Sequence, residues 1–258
     1  MILLIFLLYF LLFVFGLIFG SFLNALEWRL YKKKSLWTRS ECPNCHKQIN
    51  WYDNIPVLSF LLLKTKCRNC KEKISWQYPA VELVMGLLFV FVLFYYFSFA
   101  DFSILSIIRD CLVIFVLAFV FVYDFKYMEV SDSVTLGSSL LFFLISLFLG
   151  ASWLSMIIGA VVGASFFLLQ FIVSKGKWVG GGDIRIGFLM GILLGWKLLL
   201  LALWLAYIIG GFISIFLVLS KKKGMKNEVA FGTYLTVATF ITMFFGTHIL
   251  EWYFRLVF

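Results

Sequence analysis

The sequence predicts an all-α polytopic membrane protein with about eight transmembrane helices and one small cytoplasmic insertion. Of its 258 residues, 63% are hydrophobic and 14% are charged, against roughly 45–50% and 25% in a soluble globular domain. The apolar residues form runs, most of which approach the ~20 residues that a bilayer crossing requires. The basic residues cluster between these runs, as they do in cytoplasmic loops of membrane proteins. Composition and patterning therefore exclude a soluble protein.

Residues 1–26 are predicted to form the first transmembrane helix. The apolar run from Met1 to Ala25 lacks the basic start and the small-residue cleavage site of a secretory signal peptide. We therefore expect this helix to be retained, with its amino terminus outside.

Residues 27–79 are predicted to form a cysteine-rich cytoplasmic domain. This segment holds four of the five cysteines of the chain. A segment of about 50 residues cannot bury a large core, so it needs a metal or cross-link to hold one shape. Its acidic residues are possible contacts for a basic peptide, or else solvated and helix-pairing carboxylates: Glu27, Glu41, Asp53, Glu72 and, just beyond it, Glu82.

The four cysteines form two CxxC motifs with 21 residues between them. Four thiolates close a tetrahedral zinc shell, and the cytoplasm disfavours stable disulfides. We predict a structural zinc ion; metal-free thiols, or His46 as a substitute ligand, are the alternatives. A closed shell leaves no position for an activated water, so this zinc is not a hydrolytic centre. The predicted ligands are Cys42, Cys45, Cys67 and Cys70.

Residues 80–258 are predicted to form the transmembrane core. Two basic clusters, Lys175/Lys177/Arg185 and Lys221/Lys222/Lys223/Lys226, mark cytoplasmic ends. We attribute the net charge of +9 to this topology and to contact with membrane lipid rather than to nucleic-acid binding. The eight predicted spans, of which the sixth is short, are Ile2–Leu23, Ala80–Phe99, Ser103–Tyr123, Val134–Leu149, Ser155–Val173, Ile184–Leu194, Leu198–Leu219 and Val229–His248.

Asp124 and Asp183 are the candidate catalytic residues, since each lies where an apolar run meets a short connection on the predicted cytoplasmic side. A carboxylate at the edge of hydrocarbon is costly to ionise and usually functional. Two such groups at similar depth favour an acid/base pair that shares one proton. Asp132, by contrast, is interpreted as an N-cap of the following helix.

Three glycines, Gly180, Gly181 and Gly182, precede Asp183. Glycine permits positive φ and the close approach of another backbone, here an extended substrate. The alternative is a membrane-entry turn in which Asp183 caps a helix. No strand precedes these glycines, so they do not indicate a dinucleotide site.

Several strings coincide with one known family: GSFLN at Gly20–Asn24, SECPNC at Ser40–Cys45, WYDNIPVLS at Trp51–Ser59, KCRNC at Lys66–Cys70 and ISWQYPAVE at Ile74–Glu82. With these strings, and with Asp124 and Gly180–Asp183 in the same order, the chain resembles the type IV prepilin peptidases from about residue 16 to 235. These are bifunctional leader peptidases and N-methyltransferases of the GxGD aspartyl class. The chain departs from the family pattern at two places. Val130–Asp132 replaces Ile-Pro-Asp, and Ala230–Thr233 replaces Pro-Phe-Gly-Pro.

The resemblance implies that Asp124 and Asp183 cleave a prepilin or pseudopilin after its basic leader, at the cytoplasmic face of the bacterial inner membrane. It also implies methylation of the new amino terminus by S-adenosylmethionine, with the cysteine-rich domain contributing. No residue of the chain indicates where that methyl donor binds. The alternatives are a peptidase whose zinc domain is only structural, and a proton-coupled transporter.

Overall fold

The computed structural model describes residues 2–100, 102–220 and 230–257, and these are predominantly helical. Within these ranges no strand forms, and two isolated β-bridges occur in the insertion. This confirms the predicted all-α class. The helices are α1 (Ile2–Tyr31), a 3₁₀ helix (Trp51–Asn54), α2 (Leu58–Leu62), α3 (Gln77–Ser98), α4 (Ile104–Tyr127), α5 (Asp132–Phe148), α6 (Trp153–Ser174), α7 (Gly181–Leu219) and α8 (Phe231–Val257).

Six of these helices are long and apolar enough to cross a membrane, judged by length and composition. They are α1, α3, α4, α6, α7 and α8, and α5 is a shorter apolar helix. The eight predicted segments fall in these seven elements, because α7 contains two of them. The basic cluster Lys221/Lys222/Lys223/Lys226 and the predicted span start at Val229 lie outside the described residues.

Helix α7 reverses direction at Gly195, where φ is 66° and ψ is 174°. A straight helix of its 39 residues would be about 58 Å long, nearly twice the ~30 Å hydrocarbon core. A Cβ on Gly187 would lie 2.6 Å from the Gly163 carbonyl oxygen, and one on Gly163 would lie 3.3 Å from Leu199 Cδ2. Gly187 and Leu199, about 18 Å apart in a straight helix, therefore both adjoin Gly163. The parts of α7 before and after Gly195 correspond to the sixth and seventh predicted spans.

The chain divides into two compact units, residues 1–115 and 116–258. In the second, glycines of α6 and α7 face each other with backbone in contact, an arrangement common between membrane helices. In the first, α1 packs on α3 in the same way: a Cβ on Gly16 would lie 2.6 Å from the Gly86 Cα atom. The predicted domain boundaries at residues 26 and 79 stay a prediction.

Candidate active site and metal centre

Asp124 lies in the last turn of α4 and is 6% exposed. Its Oδ2 atom accepts a hydrogen bond of 3.1 Å from the Thr233 backbone N–H, and the Gly232 N–H also donates to this carboxyl. Both N–H groups belong to the first turn of α8, where backbone donors have no partner within the helix. A carboxylate at the end of α4 is unfavourable by itself. The positive end of α8 compensates for that cost.

Asp183 lies in the first turn of α7 and is 7% exposed. Its Oδ2 atom accepts a hydrogen bond of 2.9 Å from the Gly180 N–H, and its own N–H donates to the Gly180 carbonyl at 3.1 Å. These two bonds close the turn that starts the helix. Gly180 thus occupies the N-cap position, and Asp183 reaches back to it from three residues on, as in a capping box.

Gly232 brings the surroundings of the two aspartates together. A Cβ on this residue would lie 2.7 Å from Asp124 Oδ2 and 2.7 Å from Ile186 Cδ1. Ile186 lies one helical turn after Asp183. The Asp124 and Asp183 carboxyl groups are close enough for their charges to interact. Two buried carboxyls thus converge within the 116–258 unit, and backbone N–H groups donate to both of them.

The three glycines before Asp183 differ in their surroundings. Gly182 packs against Val130, because a Cβ there would overlap the Val130 side chain. A Cβ on Gly181 would meet nothing within 4 Å, and one on Gly180 only atoms at 3.9 Å. None of the three has a positive φ. Their predicted role as a substrate loop stays a prediction, with open space at Gly180 and Gly181.

The predicted N-cap role of Asp132 is wrong. Ser131 occupies the N-cap position of α5, and Asp132 is the first residue of the helix. Its Oδ1 atom forms an ion pair of 2.6 Å with Arg185 Nη1 on α7. A nearby cation therefore determines the orientation of this side chain more than the helix end does.

Tyr207 is a neighbour of the aspartates that the sequence did not indicate. Its hydroxyl donates to Gln170 Oε1 at 2.8 Å, and its ring lies 5.1 Å from that of Phe231, the first residue of α8. Only the reversal at Gly195 returns the chain to this place. The sequence predicted a break between the sixth and seventh spans, but not which residues that break brings together.

The four predicted zinc ligands converge. The sulfur atoms of Cys42, Cys45, Cys67 and Cys70 all lie within 4.8 Å of one another, and the Cys42 and Cys70 sulfurs are 3.9 Å apart. Four sulfurs at ~2.3 Å from one zinc ion are about 3.8 Å apart. The donor set and its spacing therefore fit a structural zinc ion, and His46 is not a member of the group.

The two CxxC motifs share the same backbone hydrogen bond and the same positive-φ position. His46 N–H donates to the Cys42 carbonyl and Lys71 N–H to the Cys67 carbonyl, at 2.9 and 3.0 Å. His46 and Lys71, each directly after the second cysteine of its motif, both have positive φ, 56° and 60°. The insertion is thus built from two equivalent knuckles. His46 serves as a turn residue, and its Nδ1 atom lies 3.8 Å from Glu41.

The thiols of Cys67 and Cys42 differ in how readily they lose the proton that metal binding displaces. Backbone N–H groups of Cys70 and Asn69 lower the pKa of the Cys67 thiol to about 7. Burial raises the pKa of the Cys42 thiol to about 11. Because thiolates are the form that binds metal, a cation is required to hold Cys42 deprotonated at neutral pH.

Two of the acidic residues considered as peptide contacts are already paired. Arg68 donates to both oxygens of Asp53 at 2.6 and 2.7 Å, which holds the pKa of Asp53 below its usual value. Glu41 pairs with Lys34. Glu27 is buried beside Gln77, and Glu82 is buried too. These contacts favour the pairing interpretation for Glu41 and Asp53.

Both units contain a region that matches a known protein family. Residues 14–96 match the bacterial peptidase A24 N-terminal domain, and residues 111–215 match the type IV leader peptidase family. A Bacillus subtilis (strain 168) protein named prepilin leader peptidase/N-methyltransferase is 31% identical, over 94% of this chain and 96% of its own. A protein of the same name from Aeromonas hydrophila is 30% identical, over 93% and 91%. No solved structure matches the chain.

Proposed function

The chain belongs to the prepilin leader peptidase/N-methyltransferase family, and from that premise we propose that Asp124 and Asp183 are its catalytic pair. The protein is a multi-pass enzyme of the bacterial inner membrane. The observation that carries the proposal is the convergence of two buried carboxyls, each held in place by backbone N–H donors.

Peptide hydrolysis then follows the aspartyl scheme. The ionised member of the pair takes a proton from water as the water oxygen bonds to the scissile carbonyl carbon. The protonated member donates its proton to the carbonyl oxygen. As the carbonyl re-forms, the carbon–nitrogen bond breaks and the leaving nitrogen takes up a proton. The α8 N–H groups keep the Asp124 carboxyl oriented through both steps.

The substrate of this reaction is a prepilin or pseudopilin with a basic leader, cut at the cytoplasmic membrane face. A scissile bond must be extended to be cut, and unpaired backbone is tolerated at membrane depth only where it faces protein or water. The space around Gly180 and Gly181, beside Asp183, supports their role in admitting such a segment.

The second half of the reaction methylates the new amino terminus. When bound, S-adenosylmethionine supplies the methyl group: the amine lone pair bonds to the methyl carbon, the carbon–sulfur electron pair stays on sulfur, and the nitrogen loses a proton to water. Cys42, Cys45, Cys67 and Cys70 would hold a zinc ion, which supplies a fixed cross-link for the insertion.

Asparagine substitution tests the pair. Asn is isosteric with Asp and its amide oxygen still accepts from Gly180 or Thr233, but it cannot exchange a proton with water. We expect Asp124→Asn and Asp183→Asn each to lower prepilin cleavage by at least 10³-fold, measured with purified enzyme in proteoliposomes. Asp132→Asn, the same change at an exposed residue, is the control and should still cleave. Retained cleavage in either of the first two variants contradicts the pairing.

The same reactions separate the bifunctional enzyme from a peptidase alone. Mass spectrometry of the pilin product with S-adenosylmethionine present should show one added methyl group at the amino terminus. Product that is cleaved but never methylated would favour the peptidase whose zinc domain is only structural.

A further inference from the structure

A cavity of about 520 Å³ lies in the amino-terminal unit, apart from the residues of the carboxyl pair. Its volume falls within the ~300–1,000 Å³ of small-molecule sites. Helices α1 and α3 contribute Ser21, Asn24, Tyr78 and Glu82, and the insertion covers them with residues that include Val57 and Phe60.

Asn24 lines this cavity and carries a buried acceptor without a partner. The residue is 2% exposed, and its Nδ2 atom donates to the Tyr78 carbonyl at 3.1 Å. Among the residues that the structure describes, its buried Oδ1 atom has no hydrogen-bond partner. A buried acceptor without a donor costs about 1–3 kcal/mol. The bond to Tyr78 fixes the amide orientation, so the free oxygen is a positioned group that a ligand donor would satisfy.

Glu82 presents a buried acid to the same cavity. It is 7% exposed, its Oε2 atom accepts from the Val57 N–H at 2.7 Å, and Ser21 also bonds to it. Within the described ranges it forms no ion pair. Arg29, a buried cation of α1, instead donates to the carbonyls of Leu36 and Thr38. Buried carboxylates are normally paired with a cation, and no Lys or Arg nitrogen of the described residues lies within 4 Å of the Glu82 carboxyl oxygens.

Helix packing produces this arrangement. A Cβ on Gly20 would lie 2.6 Å from the Glu82 Cα atom, so only glycine permits α1 to approach α3 this closely. The residues that follow on α1, Ser21 and Asn24, are thereby held against the α3 face that carries Glu82. Three residues with acceptor oxygens, on two helices in close contact, thus line one cavity.

Three hydrogen-bond acceptors, one of them acidic, match a primary ammonium group, which has three donors and one positive charge. We propose that this cavity binds the methyl donor S-adenosylmethionine, with Asn24 Oδ1 and the Glu82 carboxyl accepting from its ammonium group. Trp28 and Phe60 provide apolar surface in the same cavity for the rest of the ligand. The proposal rests on the methyltransferase half of the proposed function.

The pilin amino terminus that cleavage exposes carries the same ammonium chemistry. We assign the methyl donor because a cavity of this volume accommodates a complete small molecule. The two sources are separable by competition. Bound tritiated donor should be displaced by S-adenosylhomocysteine and not by a synthetic peptide with the mature pilin amino terminus. Displacement by the peptide and not by S-adenosylhomocysteine would overturn the assignment.

The decisive experiment is equilibrium binding of tritiated S-adenosylmethionine to the purified full chain in lipid nanodiscs, without any pilin. We expect Asn24→Leu and Glu82→Gln each to weaken binding at least tenfold. Glu251→Gln, the same change at an exposed residue of α8, is the matched control and should bind as the wild type does. Prepilin cleavage by each preparation, carried by the other unit, reports whether that preparation is folded.

Ultraviolet cross-linking of the labelled donor to the wild type keeps the test independent of the variants. Labelled peptides that contain residues 21–28 or 78–82 support the cavity, and label confined to other peptides overturns it. Wild-type binding strength in both variants also overturns it, while the methyltransferase assignment stands. A wild type that cleaves prepilin but neither binds the donor nor methylates its product would instead contradict the methyltransferase half of the proposed function.

Discussion

Gly232 has little room for a side chain beside the carboxyl pair. A Cβ there would meet Asp124 Oδ2 and Ile186 Cδ1, both at 2.7 Å, so a methyl group must displace the Asp124 carboxyl as well as the Ile186 side chain. We expect Gly232→Ala to lower prepilin cleavage at least 100-fold, since misplacement of a catalytic group by about 1 Å costs about that much. Cleavage rates of purified variants measure the effect.

The control for Gly232→Ala is the same substitution at Gly137, also within a helix of the 116–258 unit. A Cβ on Gly137 would meet nothing within 4 Å. Gly137→Ala should cleave like the wild type and gain up to about 1 kcal/mol in stability from better helix propensity. Equal rates for the two variants would show that Gly232 does not position the carboxyl.

At Thr233 the chain departs from the family pattern, and this residue donates a hydrogen bond to Asp124. The chain has Thr where the resemblance implies a second proline in Pro-Phe-Gly-Pro, and proline has no N–H to donate. The 3.1 Å bond from Thr233 to Asp124 is therefore available to this chain because of that departure. The departure at residue 233 thus supplies the candidate catalytic group with a backbone donor that proline could not provide.

Helix α7 depends on Gly195 for its reversal. With φ at 66° and ψ at 174°, this residue occupies a backbone region essentially restricted to glycine. A Cβ there would also lie 2.5 Å from Ser155 Oγ. We expect Gly195→Ala to destabilise the protein by about 1–3 kcal/mol, seen as a lower midpoint of thermal unfolding in detergent.

Gly211→Ala is the matched control for the reversal, because it makes the same change in the same helix where a Cβ would meet nothing within 4 Å. Its unfolding midpoint should equal or exceed that of the wild type. A Gly195→Ala protein as stable as Gly211→Ala would mean that the reversal does not require glycine.

The class, the spans and the cysteine cluster were predictable from sequence because each depends on a local pattern. Apolar run length predicts a span, and CxxC spacing predicts a pair of thiolates on one turn. The partners of Asp124 and Asp183 were not predictable, since they come from the first turn of α8 and from the turn before α7. Within the amino-terminal unit, Asp110 lies inside a predicted span. Its partners are its neighbour Arg109 at 2.7 Å and Tyr96 of α3 at 2.8 Å, the latter set by packing alone.

Zinc should hold the insertion in one shape, because a segment of this length folds largely through its metal. We expect about one zinc per chain by elemental analysis of the purified protein. Cys67→Ser should lower the content below about a tenth of that and expose residues 27–79 to trypsin, whose Lys and Arg sites are frequent there. Cys111→Ser, at the buried cysteine of α4 outside the cluster, should keep its zinc and its resistance. A metal-free wild type that resists trypsin equally would show that the two knuckles hold together through protein contacts alone.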